Sequence, residues 1–291
     1  MIQPSYHEPV LTDAVLDGLL VAPGKRYIDA TLGGGGHAAG MLARGAIVLG
    51  IDQDPDAIAY CKEKFGIQKN IRLVQGNFEN IEAIAGRDDF IPVDGVLFDL
   101  GMSSHQINAS GRGFSFTKDE PLDMRMDKTG TQTASDIINT KKEEELYEIF
   151  ATYAEELNSR AIARAIIRAR ALAPIASTRR LREIVEQASG GKPSQGVSAR
   201  IFQSLRITVN KEIDVLKQGI SGGRSVLGPK GRLAVLSYHS LEDRVIKKSF
   251  SQWQRNGWGR EIHRHPLRPT YEESWKNSRS RSARLRIFES V

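Results

Sequence analysis

A single cysteine, Cys61, stands in 291 residues. One thiol excludes an intrachain disulfide and a cysteine-built zinc site, and it suits a reducing compartment. No apolar run approaches the ~18–20 residues of a membrane span, and the opening MIQPSYHEPV lacks the basic start and apolar stretch of a signal peptide. The expected location is the cytoplasm, with no membrane partner. The six histidines show no H-E-x-x-H spacing, and His263 and His265 lie in an arginine-rich segment, so no metal is expected. Aromatic residues make up only 7% of the chain, so their concentration near the C-terminus stands out.

Glycine and positive charge are plentiful by contrast. The formal net charge is +6, a permissive sign of a polyanionic partner. From Trp253 to Arg286 nine Lys/Arg face three acids, and the same stretch holds all three tryptophans, Trp253, Trp258 and Trp275, with Tyr271. Arginines there, among them Arg260, Arg264 and Arg268, suit phosphates while flat rings suit unpaired bases. A solvated tail packed by its own aromatics is the alternative. A row of Arg160, Arg164 and Arg168 also suits phosphate, but Glu156 four residues before Arg160 favours a salt-bridged solvent face.

Short β-rich runs, RYIDA, AIVLGID, IRLVQ and VDGVLFDL, alternate with helical stretches over the first hundred residues. That alternation predicts an α/β fold, a parallel sheet with helices on its faces. In DPDAIAYCKEKFG the pattern predicts a helix capped by Asp54, opened by Pro55 and stopped by Gly66. A Gly/Ser/Asp/Arg-rich loop follows Gly101. Three helices come next: TKKEEELYEIFATYAEEL, with a Thr140–Glu143 capping box and an apolar face reaching Leu157, then NSRAIARAIIRARA and STRRLREIVEQA. One further amphipathic helix running from about Ile201 to Leu216, the strand GRLAVLSYHS and a last strand SARLRIFE complete the chain. The expected organisation is an α/β core over residues 1–107 and 199–291, interrupted by a helical insertion over 108–198.

Four consecutive glycines, Gly33 to Gly36, follow the first strand and precede His37. Glycines at a strand-to-helix turn allow positive φ and close ligand approach, with helix N–H groups behind them. No Lys-Ser/Thr follows at P-loop spacing, so a nucleotide-triphosphate grip is disfavoured; a dinucleotide site on a loose G-x-G-x-x-A match remains open. Acids at successive strand ends discriminate further. Asp52 at the tip of the second strand suits a ribose diol, Asn77 and Phe78 after the third suit an adenine edge and face, and Asp99 ends the fourth. Asp29, ending the first, is placed to orient the loop or meet an ammonium. This set suits S-adenosylmethionine better than a nicotinamide dinucleotide, because the donor carries no pyrophosphate but does carry an amino-acid tail and a sulfonium.

The segments DATLGGGGH, GIDQDP, FDLGMSSHQ, RGFSF, PLDMRMD, RIFQSLRITVNKEI, SYHSLEDR and SRSARLR resemble the bacterial 16S ribosomal RNA cytosine-N(4) methyltransferases called MraW or RsmH. The resemblance runs from His7 to near the C-terminus. It implies a Rossmann-like methyltransferase fold with an inserted helical substrate-recognition domain and S-adenosyl-L-methionine as donor. The implied reaction is methylation of the exocyclic N(4) amine of one cytidine near the decoding centre. The implied partner is 16S rRNA within a small ribosomal subunit or its precursor, with a homodimer left open. The family's donor contacts fall on Gly35, Gly36, His37, Asp52, Phe78, Asp99 and Gln106. Relatives often carry an arginine within the loop where this chain has glycine throughout, so that side chain's contact is absent. A non-enzymatic RNA-binding assembly factor on the same scaffold is the competing function.

A cytosine amine is a poor nucleophile, and its N–H bonds must be held so that the nitrogen can attack in line. Many amino methyltransferases use Asp/Asn-Pro-Pro-aromatic after the fourth strand; this chain has Asp99-Leu100-Gly101-Met102-Ser103-Ser104. Asp99, the backbone carbonyls of that loop, and the hydroxyls of Ser103 and Ser104 are the catalytic candidates there. Tyr238, His239 and Ser240 form the other candidate wall, with His239 either catalytic or a hydrogen-bonded structural group. Arg112 and Phe114 in GRGFSF suit a phosphate and a base, or else pack the loop into its own domain.

Overall fold

The computed structural model describes residues 9–101, 111–127, 129–190 and 195–291. Two compact units emerge, one from Met1–Ser103 with Ile213–Val291 and the other from Ser104–Glu212.

The first unit is built on seven strands: β1 (Arg26–Asp29), β2 (Ile47–Asp52), β3 (Ile71–Gln75), β4 (Val93–Asp99), β5 (Leu227–Ser237), β6 (Gly259–Glu261) and β7 (Arg284–Ser290). Their order is β3-β2-β1-β4-β5-β7-β6. The pairs among β1 to β5 are parallel, whereas β7 runs antiparallel to β5 and to β6. Period-2 alternation sends successive residues to opposite faces, and both faces are buried. Tyr27, Val48, Leu97, Leu236 and Leu285 enter one apolar cluster. Their neighbours Ile28, Leu49, Val96, Val235 and Phe288 enter the other.

Helices α1 (Thr12–Gly18), α2 (Gly36–Ala43) and α3 (Pro55–Phe65) cover the first face through Val15, Leu16, Met41, Ile58 and Phe65. On the second face lie α4 (Ile81–Arg87), α10 (Glu212–Ser225) and α11 (Ser240–Arg255), which contribute Ile81, Ile84, Leu216, Ile220, Ile246 and Phe250. The start of α3 is as expected: Asp54 accepts from Asp56 N (3.0 Å), Pro55 is the first helical residue and Gly66 ends it. A short helix, α12 (Tyr271–Lys276), and a 3₁₀ turn over Ser278–Ser282 lead into β7. Strand β6 and α12 lie in the segment expected only as a basic tail. Strand β6 is not legible from three residues without apolar alternation; its pairing with β7 creates it.

The second unit contains α5 (Ala134–Thr140), α6 (Glu143–Tyr153), α7 (Ser159–Leu172), α8 (Thr178–Ala188) and α9 (Gln195–Asn210) around one apolar cluster that includes Ile137, Phe150, Ile162, Leu181, Ile201 and Leu205. Several local expectations are corrected here. Thr140 belongs to the end of α5, its hydroxyl donating to Asp136 O (2.7 Å), and the capping box is Thr133 with Asp136. Helix α6 begins at Glu143, where Lys142 N donates to Glu145 Oε2 (2.8 Å), and it ends before Leu157, which is 99% exposed. Glu156 lies outside α7 and is buried against Arg200, not Arg160. The single helix expected from about Ile201 to Leu216 is two, α9 and α10, parted at Lys211 with φ 49°. The expected boundary at 198/199 therefore falls inside α9, whose apolar face belongs to the second unit, and the division lies at 212/213.

Candidate active site

Chain order places β2 and β3 on one side of β1, then β4 on the other, so the strand order reverses between β1 and β4. Connections leave in opposite directions at such a point, and a crevice opens at the carboxyl ends of the strands. Asp29 ends β1, Asp52 ends β2 and Asp99 ends β4, while Tyr238 and His239 follow β5. The first unit thus brings the expected acids to the carboxyl ends of its strands.

The glycine loop is held from two sides. Gly33 N donates to Asp52 Oδ2 (2.7 Å), while Asp52 Oδ1 accepts from Asp54 N (2.9 Å). From α3, Lys64 Nζ reaches Gly34 O (2.6 Å) and Gly35 O (3.3 Å), and the Cys61 thiol donates to Gly33 O (3.3 Å). With its carbonyls bound by α3, the loop keeps a fixed backbone at the start of α2. The sequence reading missed Lys64 and Cys61; their three-residue spacing on one helix face was the available signal. Gly35 caps α2 with φ 65°, and a Cβ there would stand 2.7 Å from the Phe65 ring. Only glycine meets both conditions without strain. Burial pushes the Cys61 thiol up to about 12, so it acts as a donor rather than a nucleophile.

Below the loop is a buried polar group. Asp29, His37 and Asp99 are 1%, 5% and 7% exposed. His37 Nε2 lies 3.5 Å from Asp99 Oδ2, and neither ring nitrogen has a hydrogen-bond partner among the described residues. Loss of water pushes Asp29 up to about 6, with neighbouring Asp99 and Asp52 acting in the same direction and His37 and the Thr31 N–H against it. Asp52 is also pushed up to about 6, again chiefly by desolvation, with the N–H groups of Asp54 and Gly33 opposing.

Asp99 is oriented by its surroundings. Tyr238 Oη donates to its Oδ1 (2.7 Å), Gly101 N donates to the same oxygen (3.2 Å), and its own N–H donates to Thr31 Oγ1 (2.6 Å). Burial first, then the charge of Asp99, raises the Tyr238 phenol far above its ordinary range, so it remains a donor. Phe78 packs edge-on to Phe98 at 5.4 Å, and a Cβ on Gly219 would collide with its ring. Asn77 accepts from Glu79 N (3.1 Å) and so caps a turn, which commits its carbonyl oxygen.

Other expected residues are used differently. His239 is the N-cap of α11: its Nδ1 accepts from Glu242 N (3.4 Å), Nε2 lies 2.9 Å from Glu242 Oε1, and its N–H donates to Glu242 Oε2 (3.3 Å). Its Nδ1 and N–H thus serve its own helix start, the structural alternative for this residue, while Nε2 has no hydrogen-bond partner among the described residues. Ser103, Ser104 and Gln106 lie outside the described residues. In the second unit Arg112 Nη1 donates to Arg125 O (3.1 Å) and Met126 O (3.0 Å), and Phe114 packs against that unit's core. Both serve the alternative reading, a loop packed into its own domain.

In the C-terminal segment Trp253 is 6% exposed and stacks with Phe250 and Phe288, so it is core and not a platform for bases. Trp258 lies under Arg224, whose guanidinium is 4.3 Å from the ring centre. Arg260 pairs with Glu289 (2.8 Å) although its side chain is 71% exposed; Arg264 and Arg268 are exposed. In the arginine row, Arg164 pairs with Glu143 (2.8 Å) and Arg160 covers the Tyr147 ring at 4.3 Å.

Comparison with known proteins places the chain in a family. A ribosomal RNA small subunit methyltransferase H of Chlorobaculum parvum is 43% identical over 316 residues, covering 98% of each chain. One of Deinococcus deserti is 43% identical over 291 residues, covering 98% of this chain and 93% of the relative. A solved structure of an rRNA methylase from Streptococcus thermophilus covers 100% of this chain and 99% of its own at 13% identity, with a TM-score of 0.47, too distant to bear on the site. The model of the MraW methylase family matches residues 4–291, and with relatives above 40% identity along nearly the whole length, the chain belongs to that family.

Proposed function

We propose that the protein transfers a methyl group from S-adenosyl-L-methionine to the exocyclic N(4) amine of a cytidine in 16S rRNA. The observation that carries this reading is the set of strand ends at the reversal, where Asp52 ties the glycine loop and a fixed Asp99 stands 3.5 Å from His37, whose ring nitrogens have no hydrogen-bond partner among the described residues. The donor fits these residues. Asp52 suits its ribose diol, Gly35, Gly36 and His37 suit its amino-acid end, Phe78 suits the adenine, and Asp99 and Gln106 complete the proposed contacts. When bound, it supplies an electrophilic methyl on a positively charged sulfur.

The remaining chemistry falls to the chain. A base must leave its stack to reach a crevice of this kind. Asp99, held by Tyr238 and Gly101, is assigned to accept an N–H of the amine, and the Ser103–Ser104 loop to accept the other; one of these hydrogens passes as a proton to the Asp99 carboxylate as the N–C bond forms and the S–C bond breaks. Restraining both N–H bonds localises the nitrogen lone pair that the ring otherwise delocalises. The rRNA named in the relatives' descriptions supports the substrate class. We assign the second unit to substrate selection, and Arg264 and Arg268, with Arg260 where it can exchange Glu289 for phosphate, to the RNA backbone. Arg112 and Phe114 are assigned to shaping the second unit. Among the described residues no helix is long and apolar enough to cross a membrane; the cytoplasm is assigned from the RNA substrate.

The test uses small ribosomal subunits, and separately their deproteinised 16S rRNA, from cells lacking this protein, incubated with the purified chain and labelled donor. Label on a single cytidine as N(4)-methylcytidine by mass spectrometry is expected. Tight RNA binding without label in either substrate would leave the scaffold reading in its place.

A further inference from the structure

The segment SRSARLR is the last of those singled out in the sequence, and Arg279 stands just before it, unused by the site described above. Antiparallel pairing sets Ser237 of β5 opposite Arg284 of β7. The residue after Ser237 is Tyr238, and the turn before Arg284 is Ser278–Ser282, so this register brings Arg279 to the Tyr238 end of the crevice. The two side chains interact electrostatically. Tyr238 in turn donates to Asp99.

The other arginines of the segment are satisfied within the fold. Arg281 donates to Ser274 O (3.2 Å), Arg284 pairs with Asp243 (3.2 Å), and Arg286 pairs with Asp243 and Glu261 (both 2.7 Å). Arg279 differs. Its Nη1 is shielded from water and has no hydrogen-bond partner among the described residues. Loss of water lowers its pKa from the ordinary value, although the side chain as a whole is only half-buried. A shielded guanidinium donor with no acceptor is costly, and an anion that arrives with the substrate removes that cost. Glu273, the nearby carboxylate on α12, already accepts from Leu11 N (2.7 Å). Tyr271 and Trp275, 85% and 74% exposed, lie four residues apart on α12 and so share the face that leads toward this turn.

We propose that Arg279 binds a backbone phosphate of the RNA next to the target nucleotide, so that the base enters the crevice in register with Asp99. The proposal rests on the RNA reading above. A phosphate brings oxygen acceptors to a planar fork of donors, which is the geometry guanidinium recognises best. It is a positioning contact with the substrate itself, separate from the donor's site.

The test compares wild type with Arg279→Gln and Arg279→Lys on small ribosomal subunits, with S-adenosylmethionine calorimetry and thermal unfolding alongside. Arg279→Gln is expected to raise KM for subunits roughly ten- to a hundred-fold, the range for a lost hydrogen bond to a charged group. It should also reduce the salt slope of RNA binding by about 0.7–0.9 and leave donor affinity within two-fold. Arg279→Lys keeps the charge and should preserve the slope while recovering part of KM. An unchanged KM and slope in Arg279→Gln would overturn the proposal. So would a fall in donor affinity with subunit KM intact, which would reassign the guanidinium to the donor's carboxylate. If wild type itself neither binds RNA nor labels subunits, the RNA reading fails and this contact fails with it.

Discussion

At the residue scale, the crevice holds its carboxylates at a cost in stability. Asp29 has almost no access to water, and its pKa of about 6 lies above the ordinary 3.8. The folded state therefore binds the proton more tightly than the unfolded chain does. Its contribution to stability is fully present below about pH 4 and is lost as pH rises through 6. At pH 7.5 the ionised group destabilises by about 2–3 kcal/mol, each pKa unit being worth about 1.4 kcal/mol. Asp29→Asn, which is close in shape, is expected to melt higher than wild type at pH 7.5 and to converge with it at pH 4. If Asp29 orients the glycine loop or meets the donor's ammonium, donor affinity should fall in the same variant by calorimetry. Parallel melting curves across that range would refute this account of Asp29.

At the element scale, the C-terminal tryptophans have separate fates. Trp253 on α11 joins Phe250 and Phe288 in a cluster with ring centres 5.3–5.5 Å apart, which fastens α11 to β7. Trp275 on α12 stands in solvent. Trp253→Ala should cost roughly 3–5 kcal/mol, the range for emptying a large aromatic site, and chemical denaturation measures it directly. Trp275→Ala should change stability by less than about 0.5 kcal/mol while weakening RNA binding, since a lost base stack is worth about 1–3 kcal/mol. Equal stability losses in the two variants would contradict this division. Helix α3 shows the same principle in a smaller compass: Phe65 packs into the core while Lys64 and Cys61 turn toward the loop carbonyls.

For the whole molecule, each unit has an apolar core of its own. The first unit carries the complete sheet and every described residue proposed for the donor. Deleting 111–211 and closing the gap with a short glycine-serine linker leaves that sheet intact and retains Gln106. The shortened chain is expected to unfold cooperatively and bind S-adenosylmethionine with affinity near that of the full chain, by calorimetry, yet to leave small subunits unlabelled. Normal methylation by the deletion variant would remove the second unit from substrate selection.

The amino-acid order by itself determined the parallel half of the sheet and the acids at its strand ends. Alternating apolar runs bounded by glycine and acid specify β1 to β4 almost to the residue, because period-2 burial and strand-end chemistry are both local signals. Asp29, Asp52 and Asp99 were legible as strand-end groups for the same reason. Tertiary structure decided the rest, where a residue's role depends on a partner distant in the chain. Nothing local tells that His239 caps α11 through Glu242. Trp253 and Trp275 look alike until Phe250 and Phe288 claim one of them. Arg260, Arg279 and Arg286 are equivalent in a count of charge. Glu289 pairs with the first, Asp243 and Glu261 pair with the last, and Nη1 of Arg279 has no hydrogen-bond partner among the described residues. Periodicity records which face of an element is apolar, whereas the neighbours that satisfy a charge or a ring are chosen only when distant segments pack.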